Sequence, residues 1–509
     1  MKMNRLAACL LLCALILTAC HAPETSALPA ATLPPVMDDI VAPVGDAALS
    51  QATSVALYLP SRDGQRLVCQ YETLTLNSGR HPAEAVARAL MEHPGNEAAA
   101  PLGGSVTLRL SASDPIELSG GVCTVNLTPS ALQLDHADLY AACLCLTTTL
   151  CELKDVRAVN VLVAGQAVSL DAANRLPLGS LSPHTGAELP ILWSQMAARR
   201  APVGSDPAGA PLTAAATLYF PLADGSGLLP EVRTLSFPGQ LPEQLIRTLL
   251  DALSVTASGD AAALPDLPGL LSAEPALTDL DTGGRMATLR FQPALEQALK
   301  ASGVDPACFA AAVTCTLTTF VPSLASVQLA IGDQPLTSLV LPAAGSQLFP
   351  GGVMRRADFA PLIQAQATIY LPSGDRLAAV TRRLPDDDAY HPRALLGELL
   401  AGPTAAERAA GVTELLPDGL SDADILGIAL DGDTLLVHLS ARAAERIRES
   451  DLDQHLMCRG LVSALCELMG TPRVRFFFGG DTVQFLNGPI FWGGEFLYSP
   501  GLTESSGGV

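Results

Sequence analysis

Alternating apolar and polar residues recur three times along the chain, in short segments that end at a proline. The segments are residues 56–60 (ALYLP), 217–221 (TLYFP) and 368–372 (TIYLP), and a turn that contains Asp and Gly follows each one. Such alternation, closed by a proline and a turn, is typical of a strand that continues into a hairpin. The pattern therefore predicts a hairpin at the start of three repeats.

Each predicted hairpin is followed by a segment whose apolar residues recur at helical spacing. These segments begin at Pro82, Pro242 and Pro392. Proline is favoured at the first helical position because no hydrogen-bond donor is needed there. His81 and His391 directly precede two of these prolines. We interpret both histidines as structural residues at a helix start, not as catalytic ones.

The rest of each repeat shows the pattern of two strands, a second helix and a closing pair of strands. Gly-Gly or Asp-Gly pairs precede the strand-like residues 122–127, 286–291 and 435–439, as in hairpin turns. The resulting order is ββαββαββ. It predicts an α+β fold of three tandem repeats, each a small, mostly antiparallel sheet with two helices on one face.

The segments between the repeats are rich in Pro, Gly and Ala, which is typical of linkers. They carry the pairs Arg199-Arg200 and Arg355-Arg356, which we expect to be solvated. The predicted organisation is a signal peptide at 1–19, a lipidated cysteine and spacer at 20–52, repeats at 53–176, 214–340 and 367–488, linkers at 177–213 and 341–366, and an aromatic and Gly-rich tail at 489–509.

The N-terminus has the pattern of a secretion signal. Lys2 and Arg5 precede an uncharged apolar run at residues 6–19, which is short for a membrane span and typical of a signal peptide. The run ends in Leu-Thr-Ala-Cys, which resembles the lipobox of bacterial lipoproteins. This resemblance implies cleavage before Cys20, a lipid on its sulfur, and a position on the outer side of the cell membrane. An ordinary signal peptide that happens to contain a cysteine is the alternative.

Composition narrows the possible partners. The 509 residues include 51 acidic and 30 basic ones, which gives a formal net charge of −21, and aromatic residues make up 4%. Because nucleic-acid binders normally present a basic face, nucleic acid is not an expected partner. The scarcity of aromatic residues also argues against stacking platforms for single strands or sugars.

The cysteines do not have the pattern of a disulfide framework. Twelve are present, of which Cys9, Cys13 and Cys20 belong to the signal and the lipid site, so an odd number remains. Cys143 and Cys151 lie in one predicted helix with their Cα atoms about 12 Å apart, beyond the roughly 7 Å that a disulfide spans. We therefore expect most of the cysteines to be small apolar core residues.

Motifs that carry chemistry are missing from the sequence. It contains no nucleophile elbow, Walker loop, dinucleotide fingerprint or His-Glu-x-x-His pattern. The densest acidic run, residues 386–388, precedes a predicted helix, where the helix dipole favours negative charge. We predict no catalytic residue, no metal site and no small-molecule cofactor.

Aromatic residues concentrate near the C-terminus, where eight of them lie between Phe476 and Tyr498. One explanation is that the tail packs back on the third repeat. The sharper hypothesis is a surface for a protein partner. For that surface we predict the four residues Phe491, Trp492, Phe496 and Tyr498.

The repeats resemble the GerMN domain of the GerM family of sporulation and germination proteins. In the third repeat, residues 399–403 (LLAGP) match the family's Leu-Leu-x-Gly-Pro, and residues 415–419 (LLPDG) also fit. The Leu/Ile-Tyr-Leu/Phe-Pro strand and its Asp-Gly turn, which is reversed to Gly-Asp in the third repeat, carry the resemblance in all three. The first two repeats depart from the family pattern at the end of their first helix.

The resemblance implies a non-enzymatic envelope lipoprotein. The GerMN fold is similar to the ring-building modules of secretion systems, so the implied function is a scaffold or assembly factor in sporulation or germination. The implied partners are the membrane, through Cys20, and an envelope protein complex or a second copy. The alternative is a surface lipoprotein that binds or hydrolyses an extracellular ligand or cell-wall component in a cleft between repeats. That alternative predicts a deep polar pocket at a repeat junction.

Overall fold

The computed structural model describes residues 50–64, 66–77, 81–171, 175–183, 211–255, 259–342, 344–385, 391–499 and 503–504. The predicted signal peptide, Cys20, the Arg199-Arg200 pair and the acidic run at 386–388 lie outside the described residues. For these, the sequence-based predictions stay predictions.

The element order ββαββαββ recurs three times, in what we call the first, second and third modules. The first module contains β1 (Ser50–Pro60), β2 (Leu67–Asn77), α1 (Ala83–Glu92), β3 (Ile116–Ser119), β4 (Val122–Leu127), α2 (His136–Leu150), β5 (Ala158–Val163) and β6 (Gln166–Ala167).

The second module adds two short helices to this order. It contains β7 (Leu212–Pro221), β8 (Leu228–Phe237), α3 (Pro242–Leu253), α4 (Leu267–Leu270), β9 (Ala276–Asp279), β10 (Arg285–Phe291), α5 (Ala294–Ser302), α6 (Pro306–Phe320), β11 (Leu324–Ile331) and β12 (Gln334–Pro335). A connecting segment follows, with β13 (Ser338–Leu341), β14 (Gly345–Leu348), β15 (Val353–Met354) and a 3₁₀ turn at Arg356–Leu362.

The third module repeats the order with further short elements. It contains β16 (Gln364–Ser373), β17 (Arg376–Pro385), α7 (Pro392–Ala401), α8 (Ala405–Ala409), β18 (Ile425–Asp431), β19 (Thr434–Leu439), α9 (Ala441–Glu449), α10 (Gln454–Met469), β20 (Arg473–Phe478), β21 (Glu495–Leu497) and β22 (Thr503–Glu504).

Each module pairs its first two strands as a separate antiparallel hairpin and its later strands as a four-stranded sheet. In the second module β15 adds a fifth strand to the sheet, and in the third module β22 adds a strand to the hairpin. The sheet orders are β3-β4-β5-β6, β12-β11-β10-β9 and β18-β19-β20-β21. The outer strand pairs are antiparallel, whereas the central pair of each sheet is parallel. The central pair is parallel because the second helix crosses over between its two strands. The predicted α+β class is confirmed, with mixed sheets.

The second helix of each module contacts both its hairpin and its sheet. In α6 nearly every residue is buried, because the connecting segment covers this helix as well. Aspartates cap all three helices: the side chains of Asp135, Asp305 and Asp453 accept hydrogen bonds from backbone N–H groups of the first turn. No single helix among the described residues is long and apolar enough to cross a membrane; α5 and α6 reach that length and composition only together, and they bend by 100°.

Gly460 in α10 allows this helix to approach β16 closely. A Cβ at this position would lie 2.9 Å from the carbonyl oxygen of Tyr370 and 2.6 Å from a methyl carbon of Leu415. The helix and strand therefore pack at a distance that only glycine permits here.

The hydrophobic interior is divided into two cores. One core is shared by the first two modules and the connecting segment, and the other belongs to the third module. Residues 341–366, predicted as a linker, contribute β15 to the sheet of the second module and the buried Phe359 to the shared core. The linker prediction fails here because these apolar side chains fill space between the modules.

Candidate functional sites

A buried arginine joins the first module, the second module and the segment between the second and third. Arg356 Nη2 donates to Glu117 Oε1 at 2.5 Å and to Tyr219 Oη at 2.9 Å, and Nη1 donates to Thr319 Oγ1 at 2.8 Å. Its guanidinium also lies over the Tyr219 ring, 4.9 Å from the centroid. The expectation that both arginines of the 355–356 pair are solvated is therefore wrong for Arg356.

The charges of this cluster depend on each other. Burial raises the pKa of Glu117, and the cation of Arg356 opposes that shift. Burial alone would lower the pKa of Arg356, but the carboxylate of Glu117 raises it above the ordinary value. Since arginine stays protonated, Glu117 serves as the counter-ion that makes burial of the guanidinium tolerable.

A cavity of about 460 Å³ lies beside this ion pair, at the junction of the first two modules. Arg356 and Glu117 form part of its wall. Several polar side chains of the wall make no hydrogen bond or ion pair with another described residue. They are Ser111, Ser113, Asp114, Gln166, Thr282 and Arg355.

A second polar cluster fixes the first module against the second. Ser180 Oγ donates to Asn160 Oδ1 at 2.8 Å, and Thr217 Oγ1 donates to the same oxygen at 3.1 Å. Asn160 Nδ2 in turn donates to Thr124 Oγ1 at 3.2 Å. All four side chains are buried. Because each buried polar atom needs its partner, this cluster favours one arrangement of the two modules.

The third module contacts the others through polar groups. Arg383 lies 2.5 Å from Asp260 Oδ2 and 3.0 Å from Asp224 Oδ2 of the second module. Lys154 Nζ of the first module lies 3.0 Å from Glu467 Oε1. An open groove of about 500 Å³ separates the first module from the end of α10. The third module thus docks mainly by ion pairs, unlike the shared core of the first two.

The tyrosine that begins each repeat has a different partner in the second module. Tyr58 Oη donates to Glu152 at 3.0 Å, and Tyr370 Oη donates to Glu467. Tyr219 instead accepts a hydrogen bond from Arg356. The sequence holds the signal for this difference, because the second helix of the second module ends in Cys-Thr-Leu-Thr-Thr-Phe at residues 315–320 and has no glutamate near its end.

The predicted aromatic surface divides into buried and exposed residues. Trp492 is fully buried, stands edge-on to Phe476 and Phe478, and donates from Nε1 to Gln454 Oε1 at 3.2 Å. Its side chain belongs to the core of the third module and is not available to a partner. The reason is that the chain turns back after β20 and adds β21 to the sheet.

The other three predicted surface residues are more accessible. Phe496 and Tyr498 are partly buried and pack against the core of the third module. Phe491 is half exposed and stands edge-on to the similarly exposed Phe485, with ring centroids 5.6 Å apart. Of the four predicted residues, Phe491 is the most exposed, and with Phe485, which was not among the four, it forms what we call the Phe485–Phe491 pair.

The cysteines and histidines form no cluster among the described residues. All nine described cysteines are free thiols, and seven of them are buried. Burial raises the pKa of Cys143 to about 12, so this thiol stays protonated. No group of three or more His, Cys, Asp or Glu within the described ranges could hold a metal ion. His81 and His391 each accept a hydrogen bond from the backbone of the following helix, as expected for helix-start residues.

His438 has an unusual position within the third module. It is fully buried in β19 and stacks on Phe477, with ring centroids 4.6 Å apart. Neither of its ring nitrogens has a hydrogen-bond partner in the described part of the chain. Burial lowers the pKa of His438, so the ring is held in its neutral form.

Comparisons with known proteins give matches of different weight. Residues 368–484 match the model of the Germane family, described as "Sporulation and spore germination". The tandem GerMN domains of the sporulation protein GerM from Bacillus subtilis share 17% identity, over 56% of this chain and 92% of that chain, with a TM-score of 0.21. The first GerMN domain of the same protein shares 17% identity, over 26% of this chain and 95% of that chain, with a TM-score of 0.20.

These TM-scores are too low to support an argument from overall shape. A search of curated proteins found no match to the chain. The family match rests on the sequence of the third module, and it supports a role in sporulation or spore germination. It confirms the predicted GerMN resemblance where that resemblance is strongest. In the segment 368–484 the chain is therefore similar to the Germane family, and in that part it is GerM-like.

Proposed function

We propose that this chain is a non-catalytic envelope protein that assembles other components during sporulation or spore germination. The observation that carries the proposal is the Germane match over residues 368–484. Both residues of the Phe485–Phe491 pair lie just after that segment, so the module that contains the match also presents exposed aromatic side chains.

The Phe485–Phe491 pair has properties of an interaction anchor. Large aromatic side chains dominate the energy of many protein interfaces because they bury much apolar area at low entropic cost. Gly493 and Gly494 lie beside Phe491, where a Cβ would come within 3.2 Å and 3.4 Å of its ring. Glycine at position 493 therefore leaves room for this ring. The proposed partner is an envelope protein with an apolar pocket.

The arrangement of the modules suits a scaffold. The shared core and the Arg356–Glu117 pair unite the first two modules, and ion pairs dock the third. A further polar contact joins all three: Ser119 Oγ donates to the carbonyl oxygen of Gln364, whose Nε2 donates to Ser226 O at 2.8 Å. Contacts of this kind would hold an interaction surface at a defined place.

We propose attachment to the membrane through a lipid on Cys20. The support is the apolar run and the Leu-Thr-Ala-Cys sequence at residues 17–20. Labelling of growing cells with a fatty-acid probe should mark the wild-type chain and should not mark the Cys20→Ala variant. Equal labelling of both chains would contradict the anchor.

Cross-linking in sporulating cells tests the assembly function. The Phe485→Ser/Phe491→Ser variant should lose a cross-linked protein that the wild type retains. The control is Val340→Ser/Leu348→Ser, which removes two apolar side chains that are 70% and 75% exposed on the β13–β14 hairpin. Retention of the same partner by both double variants would contradict the proposed surface. Light scattering of the purified chain would show whether that partner is a second copy.

A further inference from the structure

The cavity between the first and second modules combines features of a small-ligand site. Its volume of about 460 Å³ falls within the range of about 300–1,000 Å³ that is usual for ligand pockets. It lies at a module junction, where such pockets are common. Its wall includes hydroxyl groups of Ser111, Ser113 and Thr282 that make no hydrogen bond with another described residue.

Two charges on the wall have no ion-pair partner among the described residues. Asp114 precedes Glu117 by three residues, and Arg355 directly precedes Arg356. Asp114 and Arg355 both line the cavity, the first in the chain segment of Glu117 and the second in the chain segment of Arg356. Both residues are exposed, so their charges are accessible to a ligand.

Backbone strain is concentrated at the same wall. Among the described residues, four that are not glycine have positive φ, and two of them, Asp114 at 48° and Ala164 at 51°, line this cavity. Ala164 begins the turn between β5 and β6, a position where asparagine or glycine is the usual choice. Strain of this kind persists where the surrounding structure enforces it, and it is enriched at ligand sites.

The lining also restricts the chemistry of the ligand. No aromatic side chain belongs to the described lining, so a sugar ring would find no stacking surface. A simple anion would be attracted by Arg355 and repelled by Asp114. A simple cation would be attracted by Asp114 and repelled by Arg355. A ligand that carries both charges on a polar backbone offers a partner to each of these groups.

We infer that this cavity binds a zwitterion of amino-acid or short-peptide chemistry, with its carboxylate on Arg355 and its ammonium on Asp114. The hydroxyl groups of the wall and the amide of Gln166 would pair with the peptide groups of the ligand. Ordinary charge-assisted hydrogen bonds suffice for this recognition, and no covalent step is involved. The inference concerns a different surface from the Phe485–Phe491 pair, and it does not rest on the proposed assembly function.

Calorimetric titration of the full chain with three peptides tests the inference. The probes are tri-alanine, its N-acetylated form and its C-terminal amide. Tri-alanine has both charges, the N-acetylated form lacks the ammonium, and the amide lacks the carboxylate. We expect tri-alanine to bind, and we expect each blocked peptide to bind at least about tenfold more weakly. Equal binding of all three peptides, or no heat with any of them, would overturn the inference.

Two variants connect the binding to the named residues. Arg355→Gln should weaken the binding of tri-alanine about tenfold and leave the binding of the amide unchanged. Asp114→Asn should also weaken the binding of tri-alanine about tenfold, but leave the binding of the N-acetylated peptide unchanged. Asparagine keeps the positive φ at position 114 accessible, so the fold should survive. Controls are Arg459→Gln and Asp451→Asn, exposed residues of the third module. Unchanged tri-alanine affinity in both test variants would refute the site. The cross-linking test of the Phe485–Phe491 pair is independent of this result.

Discussion

Arg356 Nη2 and Glu117 Oε1 lie 2.5 Å apart, although 239 residues of sequence separate them. Glu117 belongs to β3 of the first module, and Arg356 begins the 3₁₀ turn that leads to the third. The pair closes the junction of the first two modules from within and forms part of the wall of the cavity.

Removal of one member of this pair should destabilise the protein strongly. Glu117→Ala leaves the guanidinium of Arg356 buried without its counter-ion, which typically costs about 3–5 kcal/mol. The double variant Glu117→Leu/Arg356→Met should recover most of that loss, because no charge remains buried. Urea denaturation followed by circular dichroism measures both.

A surface pair is the matched control. Arg247 and Glu274 lie 2.6 Å apart, but their side chains are 43% and 71% exposed. Glu274→Ala should cost less than about 1 kcal/mol. If Glu117→Ala cost no more than this control, the buried pair would not hold the junction.

Gly460 should tolerate no side chain. Gly460→Ala places a Cβ 2.9 Å from the carbonyl oxygen of Tyr370, and a backbone atom of a paired strand cannot easily move away. Overpacking of this kind costs about 1–3 kcal/mol. Gly397→Ala in α7 is the control, since a Cβ there meets no atom within 4 Å and alanine favours the helix by up to about 1 kcal/mol. Thermal unfolding should show opposite shifts; two shifts of the same sign would contradict the packing.

Stability should fall as the solution becomes acidic through the range in which histidine titrates. Burial lowers the pKa of His438, and burial lowers the pKa of His81 to about 4. The unfolded chain therefore binds protons first, so the contribution of the neutral rings is complete above about pH 6.5 and is lost as pH falls below it.

Two variants measure how much of this pH dependence of stability comes from His438. His438→Phe keeps a ring stacked on Phe477 and should reduce the fall in urea midpoint between pH 7.5 and pH 5.5. His455→Gln, at an exposed position, should leave that fall unchanged. An unaltered pH dependence in His438→Phe would show that this ring does not titrate with folding.

Truncation of the two neighbouring aromatic residues 491 and 492 should change the stability of the protein by very different amounts. Trp492→Ala removes a fully buried ring from the core of the third module and should cost about 3–5 kcal/mol. Phe491→Ala, at a half-exposed position, should change stability by about 0.5 kcal/mol. Chemical denaturation compares them, and a large loss in Phe491→Ala would assign that ring to the core instead of to a partner surface.

Local features of the fold could be predicted from the sequence. The order of strands and helices in the modules follows from periodicity together with Pro82, Pro392 and the turn residues, and these signals act over a few positions. The roles of His81 and His391 at helix starts were predictable for the same reason.

Long-range features could not be predicted in this way. Nothing near Arg356 in the sequence shows that its carboxylate partner lies in the first module, and composition made residues 341–366 resemble a linker. Whether Trp492 is buried or exposed depends on the return of the chain as β21, and only a three-residue strand marks that return. Each of these outcomes depends on which apolar and charged surfaces the modules bring together.

The central claim is that this chain serves sporulation or germination through a contact made by its third module. The most direct measurement is the number of heat-resistant spores, and their germination rate, in a strain that lacks the chain. We predict a defect in one of the two, restored by the wild type and by Val340→Ser/Leu348→Ser but not by Phe485→Ser/Phe491→Ser. Normal spore numbers and normal germination in the deletion strain would contradict the claim.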